Sequence, residues 1–598
     1  MLASTPSRSG LGYSNAEPAR GCRRAERPGQ QMRNPGALMR WHDVPLRAQR
    51  KVRLPVLNFA VAVWMLGLLN VPFWLALWQA VGGWSADRAA WLLTLPILAL
   101  ALIWLSLELL TWGRAAKPVL CSLLVAGAAL AYFMNTYGIT FDRGMLGNVL
   151  ETDATEVGEL LSPGLLVWIL GLGALPAVLL ARIPLMPRGL IGALCDKAAT
   201  MTVLFGVLAL LLAGFFAAYA SLFRNHRELR SQLVPINLLA AAHSYARARA
   251  SAPREFVFTA ADATRVPGVE KAGRPLVLVL VIGETTRAAS LSVNGYGRAT
   301  TPMLAVRPDL INFGAIAACG TATAVSLPCM FMDVGRSAYA EGLAYRRENL
   351  LDALQRAGLD VWWIDNNSGC KGVCDRVRVV DATRLAAEGG CGAEGCLDEV
   401  LLDLLDQRLA AITRDTVIVL HMKGQHGPAY YRRYPPTFER FAPVCKTNEL
   451  DRCDPASVVN AYDNAVVYTD HVLDWAITSL NANSRGADTA LMFVSDHGES
   501  LGESGIFLHG MPYDFAPAYQ KEVPFMAWLP EATLGRLGLD RGCLKKQTAP
   551  LSHDNLYHSV LGLSGVRTTV YRNQADVFAS CRVPIRPASA VNSQKERT

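Results

Sequence analysis

Long uninterrupted apolar runs dominate the first 222 residues of this 598-residue chain. A helix needs about 20 apolar residues to cross a membrane, since the hydrocarbon core is about 30 Å thick and each residue rises about 1.5 Å. Two of the runs are shorter and need flanking residues to span; the alternative for them is a pair of buried helices in a soluble domain. The pattern predicts five transmembrane helices, near 57–81, 90–110, 119–133, 165–180 and 198–222.

Beyond about residue 270 the pattern changes to short β-branched runs separated by helical stretches. The run 276–282 is apolar throughout, which is typical of a strand buried on both faces. Similar runs at 361–364, 416–420 and 490–494 alternate with helical stretches such as 398–411. This alternation predicts an α/β domain with a central, mostly parallel sheet and helices on both faces. The predicted parts are an arm (1–53), a transmembrane domain (54–222), an amphipathic bridging segment (223–270) and the α/β domain (271–598).

Charge orients these parts relative to the membrane. Residues 1–53 contain eleven Lys and Arg and many Pro, Gly and Ser, so we expect a disordered basic arm. The arm lacks the features of a cleaved signal peptide, and a start at Met39 is equally compatible. Basic loops at 114–117 and 182–197 are expected in the cytoplasm and the acidic loop 142–159 outside, as the positive-inside rule requires.

An odd number of spans then places the α/β domain on the outer side of the membrane. Arg224, Arg227 and Arg230 follow the fifth span there and predict a segment that lies on lipid headgroups. The net charge of +8 is concentrated near the membrane segments, so anionic lipid explains it better than nucleic acid does.

The cysteines test this topology independently. Ten of the 13 follow residue 300, and an even set of closely spaced cysteines implies an oxidising compartment, here a bacterial periplasm. Zinc binding at Cys370/Cys374 and Cys391/Cys396 is the alternative, but no histidine lies at metal-site spacing. The predicted pairs are Cys319 with Cys329, Cys370 with Cys374, Cys391 with Cys396, Cys445 with Cys453 and, by elimination, Cys543 with Cys581.

Candidate chemistry collects where the predicted strands end. Sites in parallel α/β folds lie beyond the carboxyl ends of the strands. Glu284 follows the first strand, His421 and His426 a later one, and Asp496 and His497 the last, with His509 further on. Two carboxylates and an imidazole, Glu284, Asp496 and His497, are a ligand set suited to Zn²⁺ with a fourth position open.

A threonine could occupy that fourth position as the nucleophile. The loop Cys319-Gly-Thr-Ala-Thr-Ala-Val-Ser-Leu-Pro-Cys329 offers Thr321 and Thr323, and a metal would make either hydroxyl easier to deprotonate. From the residues alone the two are equal candidates. The alternative for the stretch is a Ser/Thr loop that caps a helix.

These motifs together resemble the lipid A phosphoethanolamine transferases, the family of the mobile colistin-resistance enzymes within the alkaline phosphatase/sulfatase superfamily. The similar stretches are Gly283-Glu284-Thr285, Asn294-Gly295-Tyr296, Cys319 to Cys329, Asp365 to Val373, His426 to Tyr430, Tyr462-Asp463-Asn464, Ser495 to Ser500 and His509 to Tyr513. The chain departs from the family at Thr286, where Ala is expected, and in its longer basic arm.

The resemblance implies a zinc-dependent enzyme with a periplasmic catalytic domain anchored in the inner membrane. Glu284, Thr323, Asp496 and His497 would bind the catalytic Zn²⁺, with Thr323 as the nucleophile that becomes modified. His426 and His509 would contact the substrate phosphate or a second zinc, and Asn367 and Lys371 the headgroup phosphate of the donor. Phosphatidylethanolamine would be the donor and lipid A the acceptor, and we expect a monomer.

Three other functions fit the sequence less well. A sulfatase needs arginine where Met330 stands in Ser-Leu-Pro-Cys-Met. A glycerophosphate transferase of the lipoteichoic-acid-synthase type shares the spans and the threonine but is not expected to carry five disulfides. An inactive membrane-anchored binding protein would not be expected to keep all four ligands and both further histidines. Relatives with similar motifs modify core sugars, glucans or proteins, so the sequence leaves the acceptor open.

Overall fold

The structure is a computed structural model that describes residues 51–583 apart from 84–87, 153, 252–254, 267–272, 387–390, 392–395 and 484–485. The predicted basic arm lies outside the described residues except for its last three.

Four described helices are long and apolar enough to cross a membrane: Ala89–Leu110, Gly113–Tyr137, Pro163–Arg182 and Leu190–Asn225. The two short apolar runs, 119–133 and 165–180, reach spanning length because the helix continues into the residues on either side of each run. The first predicted span is bent by 66° where Leu54–Leu69 meets Val71–Val81. If this bent pair is one span, the described residues contain up to five.

The bend in the first span has a cause in the sequence. Pro72 has no N–H to donate and its ring clashes with the preceding helical turn, so a new helix begins there. The buried Asn70 side chain then satisfies the broken backbone: its amide donates to the carbonyl oxygens of Met65 and Val234, each at 2.9 Å. Asn70 also accepts from the Val234 N–H at 2.7 Å, which fastens the bend to the segment after the last span.

Shorter helices connect the membrane helices to the α/β domain. Arg143–Glu151 and Ala154–Leu160 lie between the second and third long helices, and Ile236–Ser251 packs against Arg143–Glu151. Asp142 caps the helix Arg143–Glu151 by accepting from the Met145 N–H at 2.9 Å. These connectors place polar groups of the membrane domain against the α/β domain.

The centre of the α/β domain is a seven-stranded sheet, and its strands in chain order are β1 (Leu276–Gly283), β2 (Leu310–Ala317), β3 (Asp360–Asp365), β4 (Arg378–Asp381), β5 (Thr416–His421), β6 (Asp488–Ser495) and β7 (Glu522–Trp528). Their spatial order is β2-β7-β6-β1-β5-β3-β4. β7 alone runs opposite to the other six strands, which all point the same way. The predicted mostly parallel sheet is confirmed.

Alternate residues of β1 feed two separate cores, which confirms helices on both faces. Leu278 and Leu280 belong to one cluster with the helices Leu350–Arg356 and Leu556–Leu563. Val279 and Val281 belong to the other, which the helix Pro455–Ala482 covers. The remaining α-helices of this domain are Pro302–Ala305, Thr323–Met330, Ala382–Ala386, Val400–Leu409, Ala518–Lys521, Glu531–Leu537 and Arg541–Leu544. Two short strand pairs, Thr264–Arg265 with Val566–Arg567 and Ser500–Leu501 with Phe507–Leu508, complete it.

All five predicted cysteine pairs are disulfide-bonded in the structure. The alternative of zinc at Cys370/Cys374 and Cys391/Cys396 is therefore wrong, because a disulfide sulfur has no thiolate to offer a metal.

A loop closed by the Cys445–Cys453 disulfide docks the α/β domain on the membrane domain. Asn448 donates to the Glu159 carbonyl at 2.5 Å, and Glu449 accepts from the Gly164 N–H at 3.0 Å. Close by, the Arg433 guanidinium forms a buried ion pair with the Glu159 carboxylate.

Candidate active site

Neighbouring parallel strands bring the predicted ligands together. Gly283 of β1 pairs in register with Ser495 of β6, so Glu284 and Asp496 emerge side by side from the carboxyl ends of their strands. His497 follows directly. All three side chains are buried, and one potential ligand atom from each lies within 4.8 Å of the others.

Hydrogen bonds orient this group in a way that leaves ligand atoms free to hold a metal. The Nδ1 atom of His497 lies 2.9 Å from the Gly498 carbonyl oxygen, which can only accept, so Nδ1 carries the proton. Its Nε2 lone pair then faces the carboxylates, 3.3 Å from Glu284 Oε1 and 3.4 Å from Asp496 Oδ2. Asp496 Oδ2 is buried and has no hydrogen-bond partner among the described residues. A buried carboxylate oxygen in that state fits a metal ligand.

Electrostatics favours a divalent cation between these residues. Burial, reinforced by the neighbouring Glu284 carboxylate, raises the pKa of Asp496 well above its usual range. Burial likewise lowers the pKa of His497 to about 3, so the imidazole is neutral at pH 7 and free to act as a ligand. A dication between the two carboxylates would relieve their mutual repulsion and balance their two negative charges. Zn²⁺ takes such a set of oxygen and nitrogen ligands.

Thr323 lies against this ligand group. β2 runs in the same direction as β6, because β7 between them is antiparallel to both, so the loop after β2 reaches the same edge of the sheet. Thr323 is the first residue of the helix Thr323–Met330, and its Oγ lies 3.0 Å from Glu284 Oε2 and 3.2 Å from His497 Nε2. Thr321 instead donates its hydroxyl to the Met511 carbonyl at 2.6 Å. The geometry therefore separates two threonines that the sequence left equal.

Two histidines stand on the open side of Thr323. His509 Nδ1 lies 2.8 Å from Glu499 Oε2; burial opposes protonation, but this carboxylate prevails and raises the pKa of His509 to about 9. His426 Nε2 lies 3.3 Å from Glu156 Oε1. Burial would raise the pKa of Glu156, but interactions with His426, Lys423 and His509 outweigh it and lower the pKa to about 2. Because its pKa is about 9, His509 is protonated at neutral pH.

The other predicted substrate contacts, Asn367 and Lys371, follow β3. The Asn367 amide donates to Glu284 Oε2 at 2.8 Å and to the Met422 carbonyl at 2.9 Å, which orients Glu284. Lys371 Nζ donates to the Ser368 carbonyl at 3.0 Å. Lys371 also adopts a left-handed φ of 51°, a strained conformation that is typical of functional loops. Their contacts with substrate stay predictions.

The histidines and Lys371 line a small cleft above Thr323, which we term the inner cleft. Its other wall comes from the membrane domain. The lining residues are Asn148, Glu151, Thr152, Glu156, Ala322, Thr323, Ala324, Ser368, Lys371, His426 and His509. Asn148 Oδ1 and Glu151 Oε2 are buried there with no hydrogen-bond partner among the described residues.

Sequence reasoning missed several of these groups. Glu151 and Glu156 were used only as part of the acidic loop 142–159 that orients the membrane helices. Asn148 was not identified from the sequence. Glu499 lies in the motif Ser495 to Ser500, but no role could be predicted for it from the sequence. His553, also missed, accepts from the Cys319 N–H at 3.0 Å and contacts the Ser495 carbonyl at 2.9 Å, which joins the Thr323 loop to β6. No spacing signal marks His553, since its partners are backbone atoms far away in the chain.

The one departure noted beside the ligands, Thr286, fits this site. Its Oγ lies 2.5 Å from Gln425 Oε1, and its backbone N–H donates to Ser495 Oγ at 2.9 Å. The extra hydroxyl is therefore hydrogen-bonded within the protein and leaves the ligand group unchanged.

Comparisons with known proteins show which proteins this chain is similar to. A family model described as Sulfatase matches residues 277–566, and one described as Phosphoethanolamine transferase EptA/EptB matches residues 97–250. The chain is 41% identical over 517 residues to phosphoethanolamine transferase EptA of Escherichia coli K12, covering 86% of this chain and 94% of that protein. It is 38% identical over 502 residues to phosphatidylethanolamine transferase Mcr-1 of Escherichia coli, covering 81% and 91%.

A solved structure is similar across both domains. The integral membrane protein lipooligosaccharide phosphoethanolamine transferase A from Neisseria meningitidis superposes with a TM-score of 0.86 at 35% identity, covering 89% of this chain and all of that one.

Proposed function

Since this chain belongs to the phosphoethanolamine transferase family, we propose that it transfers phosphoethanolamine from phosphatidylethanolamine to a phosphate of lipid A. The observation that carries the proposal is the Thr323 hydroxyl, held 3.0 Å from Glu284 and 3.2 Å from His497 at the floor of the inner cleft. A nucleophile beside a buried ligand group is what phosphoryl transfer through a covalent intermediate requires.

The inner cleft suits the zwitterionic headgroup of the donor. Lys371 and the protonated His509 favour its phosphate, while the unpartnered oxygens of Glu151 and Asn148 favour its ammonium group. A site with charges of both signs on opposite walls selects a headgroup that carries both signs.

In the first half-reaction, Thr323 gives up its hydroxyl proton and Oγ attacks the phosphorus of the donor. The Oγ–P bond forms as the bond from phosphorus to the glycerol oxygen breaks. That oxygen takes a proton from His509 Nε2, and diacylglycerol leaves. His509 then regains a proton, the one that the Thr323 hydroxyl gave up, so the step neither gains nor loses a proton.

In the second half-reaction, an oxygen of the acceptor phosphate attacks the same phosphorus and the Oγ–P bond breaks. Thr323 recovers a proton through His509, which takes the one that the acceptor phosphate gives up. Lys371 and His426 lie where negative charge builds on the non-bridging oxygens. The product is a lipid A phosphate that carries phosphoethanolamine and has less negative charge, which weakens the binding of cationic polymyxins.

We propose that Glu284, Asp496, His497 and Thr323 hold the catalytic Zn²⁺. The fit of the buried, unpartnered Asp496 oxygen and the Nε2 lone pair of His497 supports this. When bound, Zn²⁺ would supply Lewis acidity that lowers the pKa of the threonine hydroxyl. His426 and His509 are the candidates for a second zinc.

We further propose five spans, with the bent first pair counted as one, in the inner membrane and with the catalytic domain in the periplasm. The five disulfides support an oxidising compartment, and lipid substrates require a site at the membrane surface. All of these site residues come from one chain, so a monomer suffices.

Mass spectrometry of lipid A from a polymyxin-sensitive Gram-negative host expressing this chain tests the proposal. We expect lipid A with added phosphoethanolamine, and unmodified lipid A in the same host expressing Thr323→Ala. Unmodified lipid A despite verified expression of the unchanged chain would exclude lipid A as the acceptor.

A further inference from the structure

A second, larger cleft adjoins the inner cleft at the seam between the membrane domain and the catalytic domain. This outer cleft has a volume of about 500 Å³ and is lined, among others, by Arg143, Arg230, Thr321, Arg336 and Tyr513. The two clefts share Asn148 and Ala322 in their walls, and Ala322 immediately precedes Thr323. A group bound in the outer cleft therefore lies next to the nucleophile.

The charges of the outer cleft differ from those of the inner cleft. Arg143 is paired with Glu341 at 3.1 Å, and the Asp142 carboxylate caps a helix. The Arg230 guanidinium donates to the Phe223 carbonyl at 2.9 Å. The Arg336 guanidinium lies 3.8 Å from the centre of the Tyr513 ring, and its backbone N–H donates to Asp554.

Among the described residues neither Arg230 nor Arg336 forms an ion pair through its side chain, and both side chains are exposed. Three arginines against the two carboxylates Asp142 and Glu341 leave the lining of the cleft with an excess of positive charge. Guanidinium groups bind phosphate with two parallel hydrogen bonds, so this cleft fits an anion that carries phosphate and no compensating ammonium group.

We propose that the outer cleft is the acceptor subsite, in which Arg230 and Arg336 bind the phosphorylated sugar headgroup of a lipid A-type glycolipid while the inner cleft holds the donor. This rests on the proposed function and adds where the second substrate binds. The volume suits a sugar headgroup, and the membrane-domain wall of the cleft places it beside lipid. The acceptor phosphate then approaches the modified Thr323 past Ala322, and breakage of the Oγ–P bond proceeds as described above.

The two half-reactions separate this proposal from its premise. The full chain in detergent is given phosphatidylethanolamine with a fluorescent acyl chain, and single-turnover release of fluorescent diacylglycerol reports the first half-reaction. Addition of diphosphorylated or monophosphorylated lipid A, followed by mass spectrometry, reports the second. If the unchanged chain releases no diacylglycerol, the proposed function itself fails.

For Arg230→Gln and Arg336→Gln we expect diacylglycerol release within about 2-fold of the unchanged chain. Transfer to lipid A should fall about 10-fold or more, mainly through a higher KM, and the preference for diphosphorylated over monophosphorylated acceptor should shrink. Arg336→Lys, which keeps the charge, should lie in between. Arg384→Gln, an exposed arginine outside both clefts, is the matched control.

Two outcomes would overturn the assignment. Parallel loss of diacylglycerol release in the Arg230 and Arg336 variants would assign the outer cleft to the donor lipid. Unchanged transfer and unchanged acceptor preference would show that the acceptor binds elsewhere.

Discussion

The Cys319–Cys329 disulfide should matter more for catalysis than for stability, whereas Cys543–Cys581 should behave in the opposite way. The first bridge closes the loop that carries Thr323, and the second joins two segments that line neither cleft. The perturbation is a pair of double variants, Cys319→Ser/Cys329→Ser and Cys543→Ser/Cys581→Ser.

The sizes of the closed loops give the magnitudes for stability. Cys319–Cys329 has a sequence separation of 10 and Cys543–Cys581 one of 38. In the chain-entropy model the corresponding losses in free energy of unfolding are about 2.7 and about 3.9 kcal/mol. The Cys543/Cys581 variant should therefore show the lower thermal midpoint in detergent.

The geometry of Thr323 gives the opposite order for activity. Its oxygen must stay within about 3 Å of the ligand group, and small misplacements of a reacting group are costly. Contacts of the loop with His553 and Gly510 persist without the disulfide, so we expect a loss in kcat of about 10-fold rather than more. The Cys543/Cys581 variant should keep its kcat at a temperature where it is folded. Wild-type kcat in the Cys319/Cys329 variant, or an equal loss of kcat in both variants, would show that the Cys319–Cys329 bridge does not position Thr323.

Three further predictions concern protonation, the domain interface and the metal. Activity should fall as pH rises through about 9, where His509 loses its proton, and His509→Gln should remove that part of the pH profile; an unchanged profile would exclude His509 as the proton donor. Arg433→Met leaves the Glu159 carboxylate buried and unpaired, so it should lower the free energy of unfolding by about 3–5 kcal/mol, and Arg433→Met/Glu159→Met should recover part of that loss; no recovery would contradict a paired interaction. Chelation should abolish activity and lower the thermal midpoint, Zn²⁺ should restore both, and Glu284→Gln should show neither zinc binding nor this shift.

The grouping of Glu284, Asp496 and His497 could be predicted from sequence because these residues sit directly after strands. Once β1 and β6 are identified as parallel, Glu284 and Asp496 must emerge at the same edge. The choice between Thr321 and Thr323 could not be made in this way. It depends on the conformation of a short loop, in which Thr321 turns to Met511 and Thr323 to the ligand group.

Contributions from the membrane domain were also beyond sequence reasoning. Asn148, Glu151 and Glu156 reach the inner cleft only because one domain docks on the other, and no periodicity in the chain encodes that docking. Strands β2, β4 and β7 were not predicted, and in β7 Pro524 argues against a central strand. In the structure Pro524 lies where β7 pairs with β2 alone, so its missing N–H costs no hydrogen bond to β6. By contrast, Pro72 marks the bend in the first span and could have been used to predict it.

Trapping the covalent intermediate tests the central claim most directly. The full chain is incubated with phosphatidylethanolamine and no acceptor, and its intact mass and peptides are measured. We predict a mass gain of one phosphoethanolamine group on Thr323, which is retained in Thr321→Ala and absent in Thr323→Ala. An adduct on a different residue, or transfer to lipid A by Thr323→Ala, would contradict the mechanism.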